Sequence, residues 1–276
     1  MEHVGAHILE TTLVALAASG RQVLLALGPL ALVTGALRLL ERALSGRLAS
    51  RLGWHSVLLT AWLGVPVHEL SHAAACLLFG HRVERLRLLA PDSITGQLGS
   101  VDHAWDRRSL YQQVGRFFIG IAPLLGGALA LLLLTLLLGP APVRWPDLPD
   151  DGGLLSSLQS AGRLALDLAA AMFSPHAARS GLTWLYLYLA LCIGAHMAPS
   201  TTDLRGSVPG LLWLLLFVLG SNLVAALLGA DPSLAEHALL VALTPLLALL
   251  LTALVLDVLC LVVVVLVTAL LPRRAA

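Results

Sequence analysis

The sequence predicts an all-α polytopic membrane protein of about six transmembrane helices, with a short strand or hairpin element between the second and third spans. Three observations carry that expectation. Of 276 residues, 58% are hydrophobic and 12% charged, and the mean hydropathy is +0.88, outside the range of ordinary soluble domains. Apolar runs of about 20 residues recur along the chain, the length that crosses a bilayer core of about 30 Å at 1.5 Å per residue. The longest polar stretch, 81–116, carries Gly, Ser and β-branched residues where a helix would show its periodicity.

Taken in order, residues 1–20 read as an interfacial or partly inserted helix and 22–40 as the first span, separated at Arg21. Residues 41–53 (ERALSGRLASRLG) read as a basic connector. The second span, about 54–80, has Pro66 inside it, which removes a backbone hydrogen bond and predicts a kink. HRVERLRLL and SITGQLGSVDHAW then predict short strands within 81–105. The third span, about 117–138, opens with Gly120-Ile121-Ala122-Pro123. A Pro- and Asp-rich loop, 139–153, leads to an amphipathic stretch, 154–173, expected at the interface. The fourth span, about 181–198, is short, and the fifth covers about 208–229. The last apolar run, 237–271, exceeds one upright span and predicts a strong tilt, an extension beyond the bilayer, or a break near Asp257. The whole chain, 1–276, reads as one domain: 1–53 supplies the interfacial helix and first span, 54–206 the motifs, and 207–276 the C-terminal spans.

Charge and cysteine usage narrow the function classes. A net charge of +1 offers no argument for nucleic acid. All 17 basic residues are arginine, a bias that fits a GC-rich genome. On the six-span topology, the 81–116 and 199–207 loops and the C-terminal tail hold nine arginines, among them Arg273 and Arg274. The opposite side holds seven, including Arg144 and those of 41–53, so the positive-inside rule places 81–116 in the cytoplasm by a small margin. Cys76, Cys192 and Cys260 lie apart in apolar runs and suggest neither disulfides nor a zinc cluster. Cys76 shares a helical stripe with His72 and reads as a small packing residue. Met1-Glu2-His3-Val4 lacks the basic start of a signal peptide, and a compact protein of this kind suits a bacterial inner membrane.

The chemistry is concentrated at His68-Glu69-Leu70-Ser71-His72, an HExxH motif inside the second span. Residues four apart on a helix lie one turn above each other, so both imidazoles face one point and can hold one Zn²⁺. Glu69, beside the first ligand, can reach a water molecule there as general base. Ionisable groups in lipid are costly without a partner such as a metal. A catalytic zinc usually takes three protein ligands. Asp203 is the candidate third ligand, because it follows the fourth span in a Pro- and Gly-punctuated segment on the side where the motif helix ends. An ordinary helix-capping aspartate is the other reading of that residue.

These marks, in this order, resemble the site-2 protease family of intramembrane zinc metalloproteases. HExxH stands in an early span, Gly120 and Pro123 give a Gly-x-x-Pro opening the next, and His196, Pro199, Asp203 and Gly206 match a later Asn-x-x-Pro…Asp-Gly segment, the whole covering about 54–206. The resemblance implies one zinc ion per chain held by His68, His72 and Asp203, with Glu69 activating water. Three departures are visible. His196 stands where the family has Asn, the spacing to Asp203 is slightly short, and Leu204-Arg205 separates Asp203 from Gly206. His196 then reads as a donor to substrate or oxyanion, as a metal ligand, or as a neutral interfacial histidine.

The expected reaction is hydrolysis of a peptide bond in or next to a transmembrane segment of a membrane-protein substrate. A helical substrate must unwind, and the strand-like 81–105 region offers its freed backbone a pairing edge. Two rivals remain: a metal or proton transporter using the same His-Glu cluster, with Asp257 the ionisable residue deep in the last run, and an inactive relative that binds membrane partners. A membrane zinc protease with a glutamate ligand would have to use Glu84 or Glu236, neither in an evident second motif.

Overall fold

The computed structural model describes residues 2–139, 153–172, 174–175 and 177–270; of residues 2–8 and 178 it describes the backbone alone. The predicted loop at 140–152, with Arg144, and the tail carrying Arg273 and Arg274 lie outside the described residues. Seven α-helices and one two-stranded sheet follow in order: α1 (Glu2–Leu52), α2 (Leu58–Leu78), β1 (Arg82–Arg87), β2 (Ser100–Ala104), α3 (Leu110–Leu138), α4 (Leu154–Met172), α5 (Gly181–Gly194), α6 (Thr201–Leu227) and α7 (Ser233–Ala269). A single 3-10 turn, Trp54–Val57, joins α1 to α2.

Four helical stretches are long and apolar enough to cross a membrane: 9–52 of α1, α3, α6 and α7. Their outer faces carry large apolar side chains in the open, among them Leu32 (77% exposed), Leu137 (79%) and Phe217 (70%). That surface suits lipid and would aggregate in water. The six-span count is not reproduced. At 14 residues α5 is about 21 Å long, short of the bilayer core, and α2 is diluted by His68, Glu69 and His72.

Two helices run on where the sequence places or allows a break. α1 is continuous for 51 residues through Arg21 and through the predicted 41–53 connector. Ala, Leu and Arg are strong helix formers. Arg21 is answered by Glu236 of α7 at 2.9 Å, and Leu44 and Leu48 pack against Cys260, Leu261 and Val264. α7 likewise passes Asp257 unbroken over 37 residues. The predicted interfacial stretch is α4, which buries Ala161, Leu164, Leu168 and Met172 in the main core. The same core holds Leu124 and Leu131 of α3, Tyr186 and Ala190 of α5, and Leu247, Leu250 and Ala253 of α7, the helix against which α4 chiefly packs.

The direction of α5 and α6 also departs from the sequence reading. Tyr186 Oη of α5 lies 2.9 Å from Thr135 Oγ1 of α3, while Met197, just beyond α5, packs on Gly127. In α6, Asp203 and Ser207 meet Gly120 of α3, and Gly210 meets Phe117 and Gln113. Both helices therefore run antiparallel to α3 and share one direction. The turn at 195–200 is a step in a single path, where the sequence reading has a loop between opposed spans.

The hairpin is as the sequence predicts. β1 and β2 are antiparallel, pairing Arg82 with Ala104 and Arg87 with Ser100, with an irregularity between Val83 and Arg85. Asp92 shapes its turn by accepting from Ile94 N and Thr95 Oγ1, both at 2.8 Å, and Gly96 takes φ +73°.

Candidate metal centre

His68 and His72 lie one turn apart on α2, and Asp203 reaches them from the first turn of α6. His72 Nε2 is 3.2 Å from His68 Nε2 and 3.4 Å from Asp203 Oδ1, and His68 Nε2 is 3.6 Å from Asp203 Oδ2. Ligands about 2.0–2.1 Å from one tetrahedral ion stand about 3.4 Å apart. The two imidazole nitrogens have that spacing from each other, and each has it from one of the two carboxylate oxygens.

The tautomers make the case stronger. His68 Nδ1 lies 2.7 Å from the carbonyl oxygen of His196, and His72 Nδ1 lies 2.8 Å from that of Ile119. A carbonyl only accepts, so each Nδ1 carries the proton and donates. In the neutral rings each Nε2 then presents a lone pair, and the two face each other and a carboxylate. Three acceptors converging on one point are satisfied by a cation. Backbone carbonyls that fix the opposite ring nitrogen are also the usual outer support of metal-binding histidines.

Asp203 takes part in the helix cap, its other reading in the sequence, while its carboxylate stands beside the two histidines. Ser200 and Asp203 form a capping box: Asp203 N donates to Ser200 Oγ at 3.1 Å and Ser200 N to Asp203 Oδ2 at 2.6 Å. The cap starts α6 and aims the carboxylate at the imidazoles. Arg38 of α1 donates to the carbonyl of Pro199, tying down the turn that carries the cap.

Glu69 lines the same cavity of about 940 Å³ as the three ligand residues, and Gln97–Val101 and Gly120 also line it. Gly99 sits against Glu69: a Cβ there would lie 2.8 Å from Glu69 Cγ and from Val65 Cγ1. Only a residue without a side chain lets the lead into β2 cover the motif this closely. β2 residues line the cavity and β1 residues do not.

His196 is placed in support of the centre. Its carbonyl orients His68, and its buried ring has Nε2 3.0 Å from Thr60 Oγ1 and Nδ1 4.0 Å from Glu41 Oε1. The ring nitrogens thus face Thr60 and Glu41, and the ring also borders the cavity. Gly64 leaves room for it, since a Cβ there would lie 2.7 Å from His196 Cδ2.

Gly120, from the Gly-x-x-Pro element, has a defined task. A Cβ on it would lie 2.5 Å from Ser207 Cβ and 2.7 Å from the Asp203 carbonyl oxygen, so its absence lets α3 bring α6 up to α2. Gly120→Leu is expected to push Asp203 off the histidines and lower zinc affinity at this centre by about 10- to 100-fold, the range for lost supporting contacts. Zinc titration of the purified variant against a competing chelator measures it.

The sequence reading missed the carbonyls of Ile119 and His196, the Arg38–Pro199 tie, Glu41 and the approach of Gly99. Main-chain acceptors leave no mark in residue identity; a glycine before a β-branched strand was the one visible signal. In comparisons with protein-family models, curated proteins and solved structures, nothing matched this chain.

Proposed function

We propose that the chain is an intramembrane zinc metalloprotease of the site-2 protease type, hydrolysing peptide bonds in or beside transmembrane segments of membrane-protein substrates. The convergence of His68 Nε2, His72 Nε2 and an Asp203 carboxylate at zinc-ligand spacing, beside Glu69, carries this reading. α2 and α5, whose outer faces also expose leucines and tryptophans, join α1, α3, α6 and α7 at membrane depth, six apolar helices in a multi-pass protein of a bacterial cell membrane.

His68, His72 and Asp203 would hold one zinc ion, the carbonyls of Ile119 and His196 fixing both rings. Bound there, it would supply Lewis-acid polarisation of the scissile carbonyl and a lower pKa for a water molecule. The Glu69 carboxylate takes the proton from the attacking water and returns it to the leaving amine. β2, the strand that lines the cavity, offers an edge to which an unwound substrate segment adds, so that its freed N–H and C=O groups are paired within the lipid layer. His196, held by Thr60, keeps His68 in place through its carbonyl.

The test is direct. The full chain is reconstituted in liposomes with a transmembrane peptide library and the products are read by mass spectrometry. Cleavage within apolar segments is expected, stopping with a zinc chelator and returning when zinc is restored. Intact peptides under zinc-loaded conditions sink the proposal.

A transporter is the second reading, favoured by one observation. Asp257 is 2% exposed in α7 and neither carboxylate oxygen has a hydrogen-bond partner in the described structure. Buried ionisable groups of this kind serve ion or proton paths. Zinc or proton flux across the same liposomes, without proteolysis, would select it.

A further inference from the structure

A second cluster of metal-ligand side chains lies one turn beyond His72. We propose that Cys76, His81 and His103 bind a second zinc ion, which fastens the β1–β2 hairpin to the end of the motif helix.

Local structure brings the three together. α2 ends in a Schellman motif: Gly80, at φ +71°, donates to the Leu77 carbonyl at 3.2 Å, and His81 N donates to the Cys76 carbonyl at 2.8 Å. That reversal folds His81 back over Cys76, five residues earlier. His103 arrives from β2, opposite Val83 in the ladder. One ligand atom from each of the three lies within 4.8 Å of the others, and Cys76 and His81 are buried. Zinc takes nitrogen at about 2.0–2.1 Å and thiolate sulfur at about 2.3 Å, so modest side-chain rotation closes the set.

Ring chemistry points the same way. His81 Nε2 lies 2.9 Å from the Gln112 carbonyl and must donate to it, leaving Nδ1 with its lone pair. That nitrogen points at His103 Nδ1, 3.0 Å away. Burial holds both imidazoles below their ordinary pKa. Trp105 stacks on His81 with ring centroids 5.9 Å apart, and the Arg116 guanidinium lies 4.6 Å from the Trp105 ring. The cluster is thus walled by an indole and closed from one side. One thiolate with two imidazoles is a donor set for zinc and a poor one for magnesium or calcium.

The consequence is mechanical. His103 and Gly99 flank the segment of β2 that lines the first cavity, so a metal on His103 fixes the wall beside Glu69. The inference does not depend on proteolysis.

The full chain in detergent, stripped and reloaded with zinc, is assayed for metal content, and cobalt is substituted for its spectrum. About two zinc ions per chain are expected, with a near-ultraviolet thiolate-to-cobalt band. Cys76→Ser and His103→Ala should each bind about one, and Cys76→Ser should lose the band. His68→Ala should also bind about one but keep it. Helical circular dichroism and a monodisperse elution profile confirm that each variant is folded, and His103→Ala, on the hairpin, leaves the α2 helix untouched. One zinc and no thiolate band in the wild type would reduce the cluster to an imidazole–imidazole hydrogen bond and overturn the proposal, whatever the outcome of the cleavage assay.

Discussion

Glu69→Gln is expected to lower peptide cleavage by about 10²- to 10⁴-fold, the range for removal of a positioned general base, while zinc content stays at the wild-type value. The amide keeps the shape of the carboxylate, so Gly99 still sits against it. It cannot accept the proton of the attacking water. The three ligand atoms come from other residues, and the carbonyls that orient His68 and His72 are unaffected. Rates from the liposome assay and zinc by elemental analysis measure the two arms. A variant that cleaves at the wild-type rate would remove Glu69 from the mechanism; one that loses zinc would make it a ligand.

Replacing Asp203 should have the second large effect, and two substitutions separate its two tasks. Asp203→Ala removes the carboxylate ligand and the acceptor for Ser200 N, whereas Asp203→Asn retains an oxygen for the capping box. Both should bind one zinc ion fewer than the wild type and lose cleavage. Asp203→Ala should in addition be less stable than Asp203→Asn by about 0.5–2 kcal/mol, the usual worth of a helix cap. Thermal unfolding in detergent gives that difference. Wild-type zinc content in Asp203→Ala would show that the carboxylate serves the helix start alone.

The residues of the candidate site were more legible in the sequence than the path of the chain. His68, Glu69 and His72 are legible because helical spacing translates directly into a shared face. Asp203, 131 residues beyond His72, is brought to them, although spacing alone gave no route for it. Cys76 is buried, as a packing residue would be, and its nearness to His81 and His103 is not legible in the sequence, because those residues sit behind a helix reversal and on a neighbouring strand, where periodicity carries no information. Arg21 and the 41–53 stretch looked like interruptions, since hydropathy counts a charge as a cost. Tertiary pairing with Glu236 offsets the first, and helix propensity carries the second through. The hairpin was legible from its punctuation, but its closeness to Glu69 depends on Gly99 and the chain path.

The step at 195–200 changes which compartment the rest of the chain meets. Two opposed crossings would return the polypeptide to the face it left, so that the segments before Gly181 and after Leu227 would share a compartment. A single staggered crossing delivers them to different ones, and inverts the orientation of everything downstream relative to a count made from apolar runs. Water-soluble thiol reagents applied to single cysteines introduced before Gly181 and after Leu227 should therefore reach the two from opposite sides of the bilayer.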